Sequence, residues 1–232
     1  MSANKTTLAI FDFDGTLTEG HLWLGIARHH KAKKIRRTAV YCYIFSHMPY
    51  WLAAKMRLYP EDKNRAKWGQ DLSVLFKGFS VYQAQETFNW ICDNYFMELM
   101  RPDVLAVMRE HRQKGDYIIL LSGMFTEFLE VIGKRLEVDA VIGTNLEKVN
   151  QNYTGKIIPP LCFGDNKANY LQGFLKKKGI NAELSESYAY ADSYYDNPVF
   201  GMVGHPVAVY PDKKLQAQAI QRGWPVIGKQ AE

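Results

Sequence analysis

Beyond Arg101, short apolar runs alternate with helix-patterned segments, and this alternation restricts the chain to very few folds. Residues 102–114 read as a helix stopped by Gly115, 117–121 as a buried strand, 126–136 as a helix and 138–142 as a strand. Residues 146–149 and 153–157 flank Asn-Gln-Asn and predict a hairpin. A helix over 166–178 ending at Gly179, strands at 187–191 and 207–210, and a helix over 212–222 complete the series. This βαβ spacing predicts a parallel sheet with helices on both faces. One more strand, 7–13, stands far upstream. Between it and the rest lies a stretch with helical spacing over 21–58, 61–77 and 80–98, with Pro49 expected to kink or end a helix near 48. A stretch of that length is too long for a loop. The expected organisation is an α/β core of residues 1–18 and 101–232 with an all-helical cap subdomain, 19–100, inserted after the first strand.

Composition excludes other classes. Of 232 residues, 47% are hydrophobic and 23% charged, which is globular rather than disordered or collagen-like. Three widely spaced cysteines argue against a disulfide framework or a zinc site and for free thiols. No run of about 18 uninterrupted apolar residues is present. The first residues lack an apolar signal core, so a cytoplasmic location is expected.

Ligands of parallel α/β sheets bind at the carboxyl ends of the strands. The residues found there are Asp12-Phe-Asp14-Gly15-Thr16-Leu17-Thr18, then Ser122-Gly123-Met124, then Asp192-Ser-Tyr-Tyr-Asp196, with Lys167 opening a helix. Each has an ordinary reading alone. Asp14-Gly15 suits a turn, Asp192 and Asp196 suit a helix cap, Ser122-Gly123 suits a strand-to-helix turn, and Lys167 suits a solvated helix face. Together they are less ordinary. Carboxylates converging on an apolar sheet end repel each other unless a cation joins them, and oxygen-only ligands suit Mg²⁺.

The four segments, in this order, resemble the four motifs of the haloacid dehalogenase superfamily, in its phosphoserine phosphatase-like branch with a helical cap. The ending Arg222-Gly-Trp-Pro-Val-Ile is similar to endings in bacterial members of that branch. The resemblance implies a Rossmann-like core and a Mg²⁺-dependent phosphomonoester hydrolase. Asp12 would be the nucleophile that becomes an aspartyl-phosphate, and Asp14 the general acid and base. Ser122, Gly123 and Lys167 would bind phosphate. Asp12, Asp192 and the Asp14 backbone carbonyl would hold the metal, with Asp196 orienting the metal's water shell or Lys167. Glu19 and His21 stand near the position where phosphoserine phosphatases meet the substrate amine, and Tyr195 replaces an Asn of their fourth motif. The expected substrate is a small phosphorylated metabolite, phosphoserine- or histidinol-phosphate-like. A phospholipid-headgroup phosphatase (phosphatidylglycerophosphate or lysophosphatidate) and a phosphotransferase of the same fold are the alternatives.

Charge is local. Residues 16–100 hold 12 Lys or Arg against 7 Asp or Glu, whereas 101–232 hold 16 against 15. The densest run, 28–37, precedes an aromatic-rich segment, 38–54. The simplest expectation is a solvated basic face leading into the cap's own core. Peripheral membrane contact is the second reading, and no nucleic-acid recognition motif is present. Oligomeric state is not encoded in any motif.

Overall fold

The computed structural model describes residues 5–229. The first four residues, on which the expectation of no signal segment partly falls, and the last three lie outside the described residues. Six strands form one parallel sheet: β1 (Leu8–Phe11), β2 (Tyr117–Phe125), β3 (Ala140–Thr144), then, beyond a hairpin of β4 (Leu146–Val149) and β5 (Asn152–Ile157), β6 (Tyr188–Ala191), β7 (His205–Val209) and β8 (Val226–Ile227). Their order is β3-β2-β1-β6-β7-β8, with β1 between β2 and β6. The order reverses on either side of β1, which is where such sheets leave a crevice for ligands.

Alternation along the central strands sorts the core into two layers. Ala9 and Phe11 of β1, with Ile118 and Leu120 of β2, face a cluster shared with α5 (Pro102–Lys114) and α6 (Thr126–Leu136). Leu8, Ile10, Ile119 and Leu121 face the other cluster, shared with α7 (Asp165–Lys178), α8 (Asn197–Phe200) and α9 (Lys213–Arg222). Several ends follow local chemistry. Gly115, Gly179 and Gly223 take positive φ after α5, α7 and α9. The Asp212 side chain accepts from the Leu215 N–H at the start of α9. Asn150 and Gln151, both at positive φ, turn the hairpin.

Residues 22–99 form a block of helices: α1 (Leu22–Ala32), α2 (Arg37–Lys55), α3 (Glu61–Asp71) and α4 (Val81–Ile91), with short irregular helical turns after α3 and α4. The chain leaves and rejoins the sheet through two adjacent segments. Thr18 bridges Met100 in antiparallel fashion, the Glu19 N–H donates to the Leu99 carbonyl at 3.0 Å, and the Arg101 N–H donates to that of Leu17 at 2.8 Å. The helical block shares its buried interior with the sheet. Phe76, Phe88 and Phe96 meet Phe125 and Phe128, and Phe13 packs between Phe96 and Phe128 with ring centroids 5.2 and 5.8 Å away.

Two expectations for this block need correction. The break in 21–58 falls at 33–36, where Lys34 and Arg36 have positive φ, and α2 runs through Pro49. Pro49 removes one donor, to the Phe45 carbonyl. Both residues are exposed, so water can serve that carbonyl and the helix survives. Segment 38–54 is also mostly not core. Only Val40, Tyr43 and His47 of α2 are buried.

Candidate active site

β1 delivers Asp12 to the sheet crevice. The Asp12 N–H continues the ladder by donating to the Tyr190 carbonyl at 2.9 Å, and its Oδ1 accepts from the Phe13 N–H at 2.7 Å. The chain then turns tightly. The N–H groups of Leu17 and Thr18 both point at the Phe13 carbonyl, while Phe13 and Leu17 are fully buried beneath the turn. Gly15 is required here. Its φ is +84°, and a Cβ would lie 2.4 Å from Oδ2 of Asp192.

Asp192 ends β6, and Thr16 donates through Oγ1 to its Oδ1 at 3.1 Å. Asp196 follows in a short helical turn and is 4% exposed. Lys167, in the first turn of α7, is equally buried, bonds Asp196 closely and lies 3.2 Å from Oδ2 of Asp12. Ser122 and Gly123 sit in β2 where its register against β3 shifts, and the Gly123 carbonyl accepts from Oγ1 of Thr144 at 3.0 Å. Asp12, Asp14, Ser122, Gly123, Lys167, Asp192 and Asp196, remote in sequence, all line one cavity of about 740 Å³.

The electrostatics of this cluster are unbalanced. Oxygens of Asp12, Asp192 and Asp196 lie within 4.8 Å of one another. Burial, then the charges of Asp12, Asp196 and Asp14, lift the Asp192 carboxyl well above its ordinary range. Burial likewise pushes Asp196 up to about 6, against the opposing pull of Lys167. Burial alone would lower the Lys167 ammonium, but Asp12 and Asp196 outweigh it and hold it above the usual lysine value. One lysine thus faces three carboxylates, Asp12 and Asp196 buried and Asp192 half-buried. The surplus negative charge and the oxygen-only donors, with the Asp192 carboxylate set close against the Gly15 backbone, suit a small hard cation.

Asp14 points elsewhere. Its Oδ1 lies 2.9 Å from Nδ1 of His21. That hydrogen bond, against partial burial, raises the His21 imidazole above its ordinary value. His21 therefore lines the cavity as the partner of Asp14. Glu19, the other residue expected near the substrate amine, is placed apart from these residues. It pairs with Arg101 at 3.1 Å and is not among the cavity-lining residues. The bond from its N–H to Leu99 fixes it in the neck between sheet and helices.

The helical wall of the cavity holds Trp23, Tyr43, Trp51, Trp68, Lys55 and Arg65, none of which is singled out by any motif. Asn64, Arg65, Trp68 and Gly69 do share helical spacing on α3, and that pattern was the one available signal. Arg65 stacks over Tyr195 with its Cζ 5.5 Å from the ring centroid, so the residue that departs from the fourth motif contacts the helical wall.

Comparison with known proteins gives a consistent picture. The haloacid dehalogenase-like hydrolase family matches residues 9–200. A phosphoserine phosphatase of Mycobacterium tuberculosis is 27% identical over 226 residues, covering 95% of this chain and 70% of that protein. A histidinol-phosphatase of Neisseria meningitidis serogroup C is 28% identical over 135 residues, 57% of this chain and 61% of that one. Among solved structures, a Bordetella pertussis Tohama I protein of unknown function superposes with a TM-score of 0.81 at 21% identity, covering 97% and 99% of the two chains.

Proposed function

Given that this chain belongs to the haloacid dehalogenase-like hydrolase family and is a phosphatase of that family, we propose that it hydrolyses small phosphomonoesters with Mg²⁺ through an aspartyl-phosphate on Asp12. The observation that carries this reading is the convergence of Asp12, Asp192, Asp196 and Lys167 on the crevice beside β1.

Each residue has a distinct task. Asp12 attacks phosphorus in line, so its Oδ bonds to phosphorus as the ester oxygen leaves. Asp14 gives that oxygen its proton and takes one from the water that hydrolyses the acyl phosphate. Its bond to His21 aims the carboxyl and keeps it on the cavity side of the turn. Lys167, with the Ser122 hydroxyl and the Gly123 N–H, binds the phosphoryl oxygens, and Asp196 anchors the ammonium. Asp12, Asp192 and the Asp14 carbonyl would hold Mg²⁺, which supplies neutralisation of phosphoryl charge. The helical block, residues 19–100, serves as the cap that selects the leaving group. Its aromatic wall, with Lys55 and Arg65, favours a leaving group with a flat or apolar body over a compact polar one such as serine.

A panel of phosphomonoesters tests the reading. Phosphoserine, histidinol phosphate, an aryl phosphate and a lysophosphatidate would be turned over with Mg²⁺ and again with a chelator. Release of phosphate only with Mg²⁺, fastest for an ester with a ring or chain, is the expected result. Metal-independent release, or none from any ester, would reject it.

Stability should also depend on the cation. Metal-free, Asp192 and Asp196 bind protons in the fold that the unfolded chain has already shed. Their contribution is therefore complete below the ordinary value of 3.8 and, for Asp196, is lost as pH rises through about 6. His29 and His30, pushed down to about 4 chiefly by burial, have the opposite slope, losing stability as pH falls below 6.5. They do so with or without Mg²⁺, so the difference in Tm between loaded and stripped protein isolates the carboxylates. That difference should be near zero at acid pH and reach about 5–10 °C at pH 8 with saturating Mg²⁺. A difference that does not change with pH would contradict a carboxylate site.

A further inference from the structure

The outer side of α2 is apolar and has no partner among the described residues. Tyr41, Phe45, Met48 and Leu52, at positions i, i+4, i+7 and i+11, form one stripe that Met56 extends, and all five are exposed, Phe45 by 71%. The buried residues of α2, Val40, Tyr43 and His47, lie on the opposite side. Soluble surfaces seldom leave so many large apolar groups in one row.

Charge brackets the stripe. From Gly20 to Pro60 there is no Asp or Glu, and there are eight Lys or Arg. Exposed Lys33, Lys34 and Arg37 stand at the start of α2, and exposed Lys55 and Arg57 at its end. An uncharged protein partner would not need this second feature. An apolar ribbon with positive charge at both ends, on a helix about 28 Å long, matches a surface that is apolar beneath and anionic above. No helix among the described residues is long and apolar enough to cross a membrane, so α2 can lie on such a surface but not span it.

We propose that α2 docks this protein on anionic phospholipid bilayers, burying the Tyr41-Phe45-Met48-Leu52 stripe among the acyl chains with the flanking basic residues at headgroup level. Trp51, Ala54 and Lys55, near the end of the same helix, line the catalytic cavity. Docking therefore places on the bilayer surface a helix that also lines that cavity. The docking itself does not rest on the phosphatase reading.

Co-sedimentation with vesicles tests it. The full-length protein is spun with phosphatidylcholine vesicles containing about one-third phosphatidylglycerol, and with pure phosphatidylcholine vesicles. Binding to the anionic vesicles, weak binding to the neutral ones and release by high salt are expected. Phe45→Ser/Leu52→Ser should weaken binding at least tenfold while leaving aryl phosphate turnover in solution unchanged. If that variant fails to fold, Lys33→Glu/Lys34→Glu/Arg37→Glu, all at exposed sites, should weaken binding by a similar factor or more. No binding to anionic vesicles, or equal binding by a folded variant, would overturn the proposal. So would a wild-type dimer that ignores vesicles and dissociates in the Phe45→Ser/Leu52→Ser variant, since the stripe would then be a contact between two copies.

Discussion

Replacing Asp12 by Asn is expected to reduce turnover of an aryl phosphate by a factor of about 10⁴ to 10⁶. The substitution is nearly isosteric, so the ladder bond from Asp12 to Tyr190 and the turn through Gly15 persist. What disappears is the carboxylate nucleophile that would form the acyl phosphate, because a carboxamide is a poor nucleophile. One of the three crowded carboxylates also loses its charge. The metal-free variant should consequently unfold at the same temperature as wild type or slightly higher, while Mg²⁺ should stabilise it less. Steady-state kinetics and thermal unfolding on the same samples check both halves. A rate close to wild type would remove Asp12 from the chemistry.

Lys167→Met should have the largest effect on stability. The lysine is the buried cation between Asp12 and Asp196, and removing it leaves both carboxylates without a counter-charge. Breaking a buried pair in this way costs about 3–5 kcal/mol, a fall in Tm of roughly 10 °C for a chain of this size. Methionine keeps the length of the stem, so little of the loss comes from packing. Adding Asp196→Asn should recover much of the stability, because the orphaned charge is then gone, yet restore no activity, because phosphate still lacks its cation. Chemical denaturation of the single and double variants measures the coupling. Equal stability of wild type and Lys167→Met would contradict the charge balance described for this site.

The site was legible wherever its chemistry is local. Asp12, Asp14 and Gly15 stand together because a tight turn after a buried strand needs glycine at its left-handed position. Lys167 and Asp192 could be placed because one opens a helix and the other follows a strand that pattern alone predicts, and Ser122 because it stands just past the expected strand 117–121, although β2 continues through it to Phe125. Glu19 and His21 were not legible. They lie two residues apart beside the neck, and which one turns toward the cavity depends on Leu99 and Arg101, some 80 residues away. The cavity wall was hidden too, since Trp23, Tyr43, Trp51 and Trp68 come from three helices and meet only after those helices pack.

Sequence alone determined the strand and helix alternation, the insertion of a helical block after β1 and the order of the motif residues. These follow from periodicity, glycine and turn chemistry, which act over a few neighbours. Tertiary structure alone decided which faces of the helices are covered. Segment 38–54 is apolar on nearly every side, so its pattern could not say which side joins the core. Packing against α3 took Tyr43 and His47 inside, bonded to Trp68 and Asp71, and left Phe45 and Leu52 facing outward. Burial is set by whichever neighbour arrives from far along the chain, and no local pattern encodes that neighbour.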